Sequence, residues 1–170
     1  MNHPKIATVL ATGGPGMVKA AYSTGKPALG VGAGNVPSYI AADAKVKRAV
    51  NDIIVSKTFD NGMICASEQA AIVDAAIYDE VKAEFEAHQC VIISKKADIA
   101  KLEKVVLNEA RTAVNGAIVG HSAMEIAEKA GLKVPAGTKM LLAEIPDATM
   151  EHPLALEKLS PVLALRSEER

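Results

Sequence analysis

Aromatic side chains are nearly missing from this chain. Its 170 residues include no tryptophan, two phenylalanines (Phe59, Phe85) and three tyrosines (Tyr22, Tyr39, Tyr78). A core must therefore come from Ala, Val, Ile and Leu, which suits helices packed closely on parallel strands. Cysteine is also scarce. Cys65 and Cys90 are too few for a disulfide framework, and neither belongs to a CxxC pair. The expectation is a reducing, cytoplasmic setting. Nineteen basic and 20 acidic residues leave a formal net charge of -1. That balance argues against a nucleic-acid partner and against an anionic membrane surface. No apolar run reaches the roughly 18–20 residues that span a bilayer, and residues 1–5 lack the apolar stretch of a secretory signal. His3, His88, His121 and His152 have no metal-ligand spacing and form no HExxH, so no metal site is expected.

Short apolar runs alternating with amphipathic stretches are what the chain does have. Runs at residues 6–11, 28–35, 36–40, 70–73, 90–93, 117–120, 139–145 and 161–165 read as extended segments. Helical periodicity covers 17–22, 44–58, 75–87, 96–109 and 123–130. Asp43 stands where an N-cap is expected for the second helix, and Ser122 with Glu125 forms a capping-box pattern for the last. Strands alternating with helices predict an α/β class with a mostly parallel sheet.

Two stretches are rich in glycine. Thr12-Gly13-Gly14-Pro15-Gly16 follows an apolar run and opens a helix. That is the layout of a phosphate cradle, where backbone N–H groups and the positive helix end meet an anion. The spacing is neither GxGxxG nor a Walker loop, and a plain strand-to-helix turn fits the same residues. Gly30, Gly32 and Gly34 alternate along the next extended segment. They leave one face bare for a ligand or for close backbone packing.

Cys65 lies just past the turn pair Asn61-Gly62, at the end of the 44–58 helix and before an apolar run. A thiol placed there is a candidate covalent nucleophile if its surroundings favour the thiolate. Cys90 opens an apolar run and reads as core packing. A Cys–His hydrolase would need a histidine beside Cys65, and nothing in the sequence places one. Glu68, Glu144 and Glu157 stand near strand or loop transitions.

Four segments together carry a resemblance: residues 10–23, 25–35, 56–69 (with Phe59-Asp60-Asn61-Gly62-Met63-Ile64-Cys65) and 157–164 (Glu157-Lys158-Leu159-Ser160-Pro161). In this order and spacing the chain resembles the CoA-acylating aldehyde dehydrogenases, in particular the aldehyde dehydrogenase half of the bifunctional aldehyde–alcohol dehydrogenases. The resemblance implies the last part of a Rossmann-type NAD-binding domain at residues 1–36, then much of an α/β catalytic domain at 37–170. It makes Cys65 the nucleophile in NAD-dependent, CoA-acylating oxidation of acetaldehyde to acetyl-CoA, and in the reverse reaction. The partners it implies are a small aldehyde, acyl-CoA and NAD. It assigns Thr12, Gly13 and Gly14 to the pyrophosphate and nicotinamide side, Gly30, Gly32 and Gly34 to the nicotinamide neighbourhood, and Glu157 to the nicotinamide ribose.

Hydrolytic members of the superfamily carry a glutamate where this chain has Val31. Without that general base a thioester would wait for a thiol, as CoA acylation requires. The resemblance further implies an internal fragment of a homo-oligomeric parent, lacking the adenosine-binding strands and an oxyanion asparagine. The alternative reading is a truncated, non-catalytic piece that folds or associates with full-length enzyme.

Overall fold

The computed structural model describes residues 1–149 and 151–168. Two compact units are present, Met1–Gly34 and Asn35–Arg170. The division falls two residues before the boundary expected after residue 36.

The first unit is a β-α-β element. β1 (Val9–Thr12) and β2 (Ala28–Val31) pair in parallel, with Leu10 opposite Leu29, and α1 (Pro15–Tyr22) connects them. Pro15 occupies the first helical turn, where its missing N–H is not needed. Val9, Ala11 and Ala21 form a small core with Ala28 beside them. Side chains this small let the helix lie close to the strands. Gly30 belongs to that close approach: a Cβ there would stand 2.7 Å from Val18 Cγ1 and 2.8 Å from Tyr22 Cε2. Its N–H also donates to Tyr22 Oη at 3.0 Å. The bare face at Gly30 is therefore used by α1. At Gly32 and Gly34 an added Cβ meets nothing within 4 Å.

The second unit holds a five-stranded, all-parallel sheet in the order β3-β4-β7-β6-β5. Its elements are β3 (Pro37–Ile40), α2 (Val46–Thr58), β4 (Ala70–Asp74), α3 (Tyr78–Ala87), β5 (Cys90–Ile93), α4 (Lys96–Val106), α5 (Ala123–Lys129), β6 (Met140–Glu144) and β7 (Val162–Glu168). Alternate residues of one strand face opposite layers. Met140 and Leu142 of β6, with Leu163 and Leu165 of β7, join Val50, Ile53, Val81 and Phe85 of α2 and α3. Leu141 and Ala143, with Val162, join Leu102, Val106, Ile126 and Ala127 of α4 and α5. Burial on both faces explains why these strands read as unbroken aliphatic runs.

Helix ends follow local chemistry with two departures from expectation. Ser122 and Glu125 form the expected capping box on α5. Asp43 does not cap α2. The carbonyl of Lys45 receives the first helical N–H groups, from Arg48 and Ala49, so the cap lies two residues later than expected. α4 stops at Val106 because Asn108 Oδ1 accepts the N–H groups of Thr112 and Ala113 and turns the chain back. The strand expected at 117–120 is instead a short 3-10 turn, Gly116–Ile118, with Ala117 N–H donating to Asn115 Oδ1. The side chain of Asn115 offers the backbone a local partner that competes with sheet pairing.

Candidate active site around Cys65

Cys65 sits in the connection from α2 to β4 and is exposed. In a parallel sheet all strands start on one edge, so the segments entering β3, β4 and β7 converge there. These are the segments that carry Asn35, Cys65 and Glu157. Gln69 N–H donates to Val36 O at 2.8 Å, and Asn35 Nδ2 donates to Ala155 O at 3.0 Å, tying the three together.

The turn before Cys65 is built from left-handed residues. Asp60 and Asn61 have φ of 49° and 50°, and Gly62 has φ of 73°. Asp and Asn tolerate that region better than most residues. Gly62 has a second reason to be glycine. A Cβ there would lie 2.5 Å from Ser160 O and 3.0 Å from Lys57 O. The turn thus rests directly on the segment that follows Glu157. Asn61 Nδ2 donates to Gly120 O at 2.9 Å, and a Cβ on Gly120 would lie 3.0 Å from Met63 Sδ, which docks the same turn onto the 116–121 loop.

Beneath the loop lie two lysines and a glutamine, all fully buried. Lys57 Nζ donates to Gln69 Oε1 at 3.1 Å, and Lys158 N–H donates to the same oxygen at 3.0 Å. Lys158 Nζ donates to the carbonyls of Gln69, Leu154 and Leu156 at 2.8, 2.6 and 2.7 Å. Burial lowers Lys57 to about 8, with the charges of Glu68 and Glu157 acting in the opposite direction. Burial, and then the neighbouring charge of Lys57, hold Lys158 well below the usual lysine range, while Glu157 opposes. A lysine lowered in the folded state favours the neutral form there, so Lys57 adds stability as pH rises from about 8 toward its unfolded value of 10.5.

Sequence reading passed over these three residues. A signal was present for one of them: Lys57 extends the inward stripe Val46, Val50, Ile53 and Ile54 of α2. Among the described residues, the buried side-chain polar atoms without a hydrogen-bond partner are Ser67 Oγ, Glu68 Oε2, His121 Nδ1 and Ser160 Oγ. All four lie on the loops that meet at Cys65. Glu157 is half-buried, immediately before Lys158.

The remaining candidates fall elsewhere. Cys90 packs in the core, and burial pushes its thiol up to about 12 against the opposing charge of Lys139. Native protein is therefore expected to take one equivalent of iodoacetamide, on Cys65, and two after denaturation; peptide mass mapping reads both numbers. Glu144 closes β6 and accepts from Tyr78 Oη at 2.7 Å and Lys82 Nζ at 2.8 Å, a structural cluster at the opposite edge of the sheet. His88 pairs with Glu84 at 3.0 Å, while His121 and His152 stand 3.6 and 3.7 Å from Glu125 and Asp147. No group of three or more metal-ligating side chains occurs among the described residues, and none of their helices is long and apolar enough to cross a membrane.

Thr12, Gly13 and Gly14 lie in the first unit. Gly14 is the N-cap of α1, whose first turn has no acidic side chain, and a Cβ on Gly14 or Gly16 would meet nothing within 4 Å. An uncluttered helix start of this kind suits an anion such as a pyrophosphate.

The all-parallel α/β unit agrees with what comparison finds. The model of the aldehyde dehydrogenase family matches residues 1–140. The chain belongs to that family. It is 53% identical to an aldehyde-alcohol dehydrogenase of Streptococcus pneumoniae over 100% of this chain and 20% of that protein. It thus spans about a fifth of that relative. The structure of an acetylating aldehyde dehydrogenase from Geobacillus thermoglucosidasius superposes with a TM-score of 0.90 at 45% identity, covering 98% of this chain and 36% of that one. A propionaldehyde dehydrogenase from Rhodopseudomonas palustris, solved with bound CoA and an acylated cysteine, gives 0.86 at 34% identity, covering 99% and 38%. The resemblance read from the four segments and the α/β fold it implied are both borne out.

Proposed function

We propose that this chain carries the nucleophile of an NAD-dependent, CoA-acylating acetaldehyde dehydrogenase, and that Cys65 is that nucleophile. The observation that carries the reading is the exposed Cys65 on a turn clamped by Gly62 against the segment following Glu157. The acylated cysteine of the propionaldehyde dehydrogenase supports the same chemistry.

In this reading Cys65 attacks the aldehyde carbonyl as the thiolate and forms a thiohemiacetal. A bound nicotinamide dinucleotide supplies the hydride acceptor. Cys65 then holds the acyl group as a thioester until the thiol of CoA takes it. Residues 28–35 contain no carboxylate, so this segment offers no general base to activate water, which favours transfer to a thiol. Met1–Gly34 takes the role of the last part of the cofactor domain, with Thr12, Gly13 and Gly14 toward the pyrophosphate and Gly32 toward the nicotinamide, while the bare face of Gly30 is taken by α1. Glu157 takes the nicotinamide ribose, and the setting is the cytoplasm.

Acyl transfer from acetyl-CoA tests the assignment in reverse. Intact-mass spectrometry is expected to show one acetyl group, hydroxylamine-labile and mapped to Cys65, that Cys65→Ala lacks. Acetylation that persists in Cys65→Ala would remove Cys65 from this role, and none in the folded chain would overturn the proposal for this chain in favour of the truncated, non-catalytic reading. NADH formation from acetaldehyde, CoA and NAD tests the full reaction.

A further inference from the structure

We propose that Lys57, Gln69 and Lys158 form a positioning set that holds the Cys65 loop and the Glu157 segment in one fixed relation. The proposal rests on the reading of Cys65 as nucleophile, but the geometry behind it is independent of that reading.

Lys57 and Gln69 are the two feet of the loop. Lys57 is the last inward position of α2, and Gln69 immediately precedes β4. Their side chains meet across the base at 3.1 Å, so the eleven residues between them form a closed ring. Lys158 joins that ring to the third segment through two bonds to Gln69, one to Oε1 and one to the main-chain carbonyl. Further bonds of Gln69 close the structure: its N–H donates to Val36 O at 2.8 Å, its O also accepts from Ala164 N at 3.0 Å, and its Nε2 donates to Ser67 O at 3.2 Å, two residues after Cys65.

The energetics argue against simple packing. Burying an ammonium group costs several kcal/mol after relaxation. Methionine or leucine would fill the same volume without that cost. Among the described residues neither lysine has a carboxylate within ion-pair distance, and every hydrogen bond described for the two ammonium groups ends on an amide oxygen of this base. What they contribute beyond volume is direction. They convert three separately folded segments into one rigid support, and catalytic geometry depends on such support. The charged groups that act on Lys57 are Glu68 from the loop itself and Glu157 from the third segment, and Lys57 in turn acts on Lys158.

The test compares the intact chain with Lys57→Met, Gln69→Met and Gln69→Glu. Both methionine variants keep the buried volume; the glutamate variant keeps an acceptor oxygen between the two lysines. The probe is acetyl-CoA, and the readouts are the saturating rate of Cys65 acetylation and its half-saturating concentration. Alkylation by iodoacetamide reports access to the thiol. A misplacement of about 1 Å costs roughly a hundredfold in rate. Lys57→Met and Gln69→Met are therefore expected to lower the saturating rate by about 10- to 100-fold, with half-saturation and alkylation nearly unchanged. Gln69→Glu loses the Nε2 donor to Ser67 O but keeps the acceptor between the lysines, and its rate is expected to fall between those of the unaltered chain and Gln69→Met.

A Lys57→Met chain that acetylates at the normal rate would overturn the proposal, as would a Gln69→Glu chain as slow as Gln69→Met. If Cys65 is not acetylated in any chain, the nucleophile reading fails and hydrogen exchange decides the tie. Faster exchange in both 59–68 and 156–161 on Lys57→Met supports it, and a change confined to the end of α2 overturns it.

Discussion

Gly62→Ala is expected to cost roughly 2–4 kcal/mol of stability and to slow Cys65 acylation by about a hundredfold. Two independent penalties act at this position. The backbone is left-handed, with φ of 73°, which is unfavourable for any residue with a Cβ. The added methyl would also meet main-chain atoms, Ser160 O at 2.5 Å and Ser160 C at 2.6 Å. Main chain cannot rotate aside as a flexible side chain can. The turn must lift from the Glu157 segment, and Cys65, three residues on, moves with it. Thermal unfolding should shift down by about 5–15 °C, since each kcal/mol moves the midpoint by roughly 2–4 °C in a domain of this size. Gly116→Ala is the control. A Cβ there meets nothing within 4 Å, and its φ is not left-handed, so its effect should stay within about 0.5 kcal/mol. Equal melting temperatures for the two variants would mean that the turn is not clamped as described.

The second large effect belongs to the core. Phe85 is fully buried between α3 and the sheet, in the layer with Val50, Ile53, Leu163 and Leu165. Phe85→Ala should cost about 3–5 kcal/mol, the usual range for emptying a buried phenylalanine site. Against a total stability of roughly 5–15 kcal/mol this loss is severe. Its aliphatic neighbours are themselves buried and held in helices and strands, so little is available to collapse into the space. Phe59, the other phenylalanine, is 62% exposed, and Phe59→Ala should change stability by no more than about 0.5 kcal/mol. Urea denaturation followed by far-UV circular dichroism separates the two. Comparable losses for both variants would contradict the burial pattern.

Much of this could be read from residues alone, and the reasons are local. Aliphatic runs such as Met140–Glu144 and Val162–Glu168 announced strands buried on both faces. Ser122 and Glu125 announced the start of α5, because a capping box needs four residues and nothing distant. Asn61-Gly62 announced the turn before Cys65, because left-handed backbone favours those residue types. The failures were local motifs decided by neighbours. The run at 117–120 has the composition of a strand, but Asn115 turns its backbone instead. Asp43 has the chemistry of a cap, but α2 begins two residues after the position it could serve.

By itself, then, the sequence determined the α/β class, most element positions, the separation of one thiol from the other, and the family through four segments. Tertiary structure decided which residues those elements bring together. Glu157 is 92 positions from Cys65 in the chain. Their segments meet because β7 inserts between β4 and β6, a strand order that no local preference encodes. The same insertion buries Lys158 over Gln69 and sets the Ser160 carbonyl against Gly62. Side-chain type sets what a residue prefers in isolation. The order of strands in the sheet sets whether a lysine ends in water or beneath the Cys65 loop.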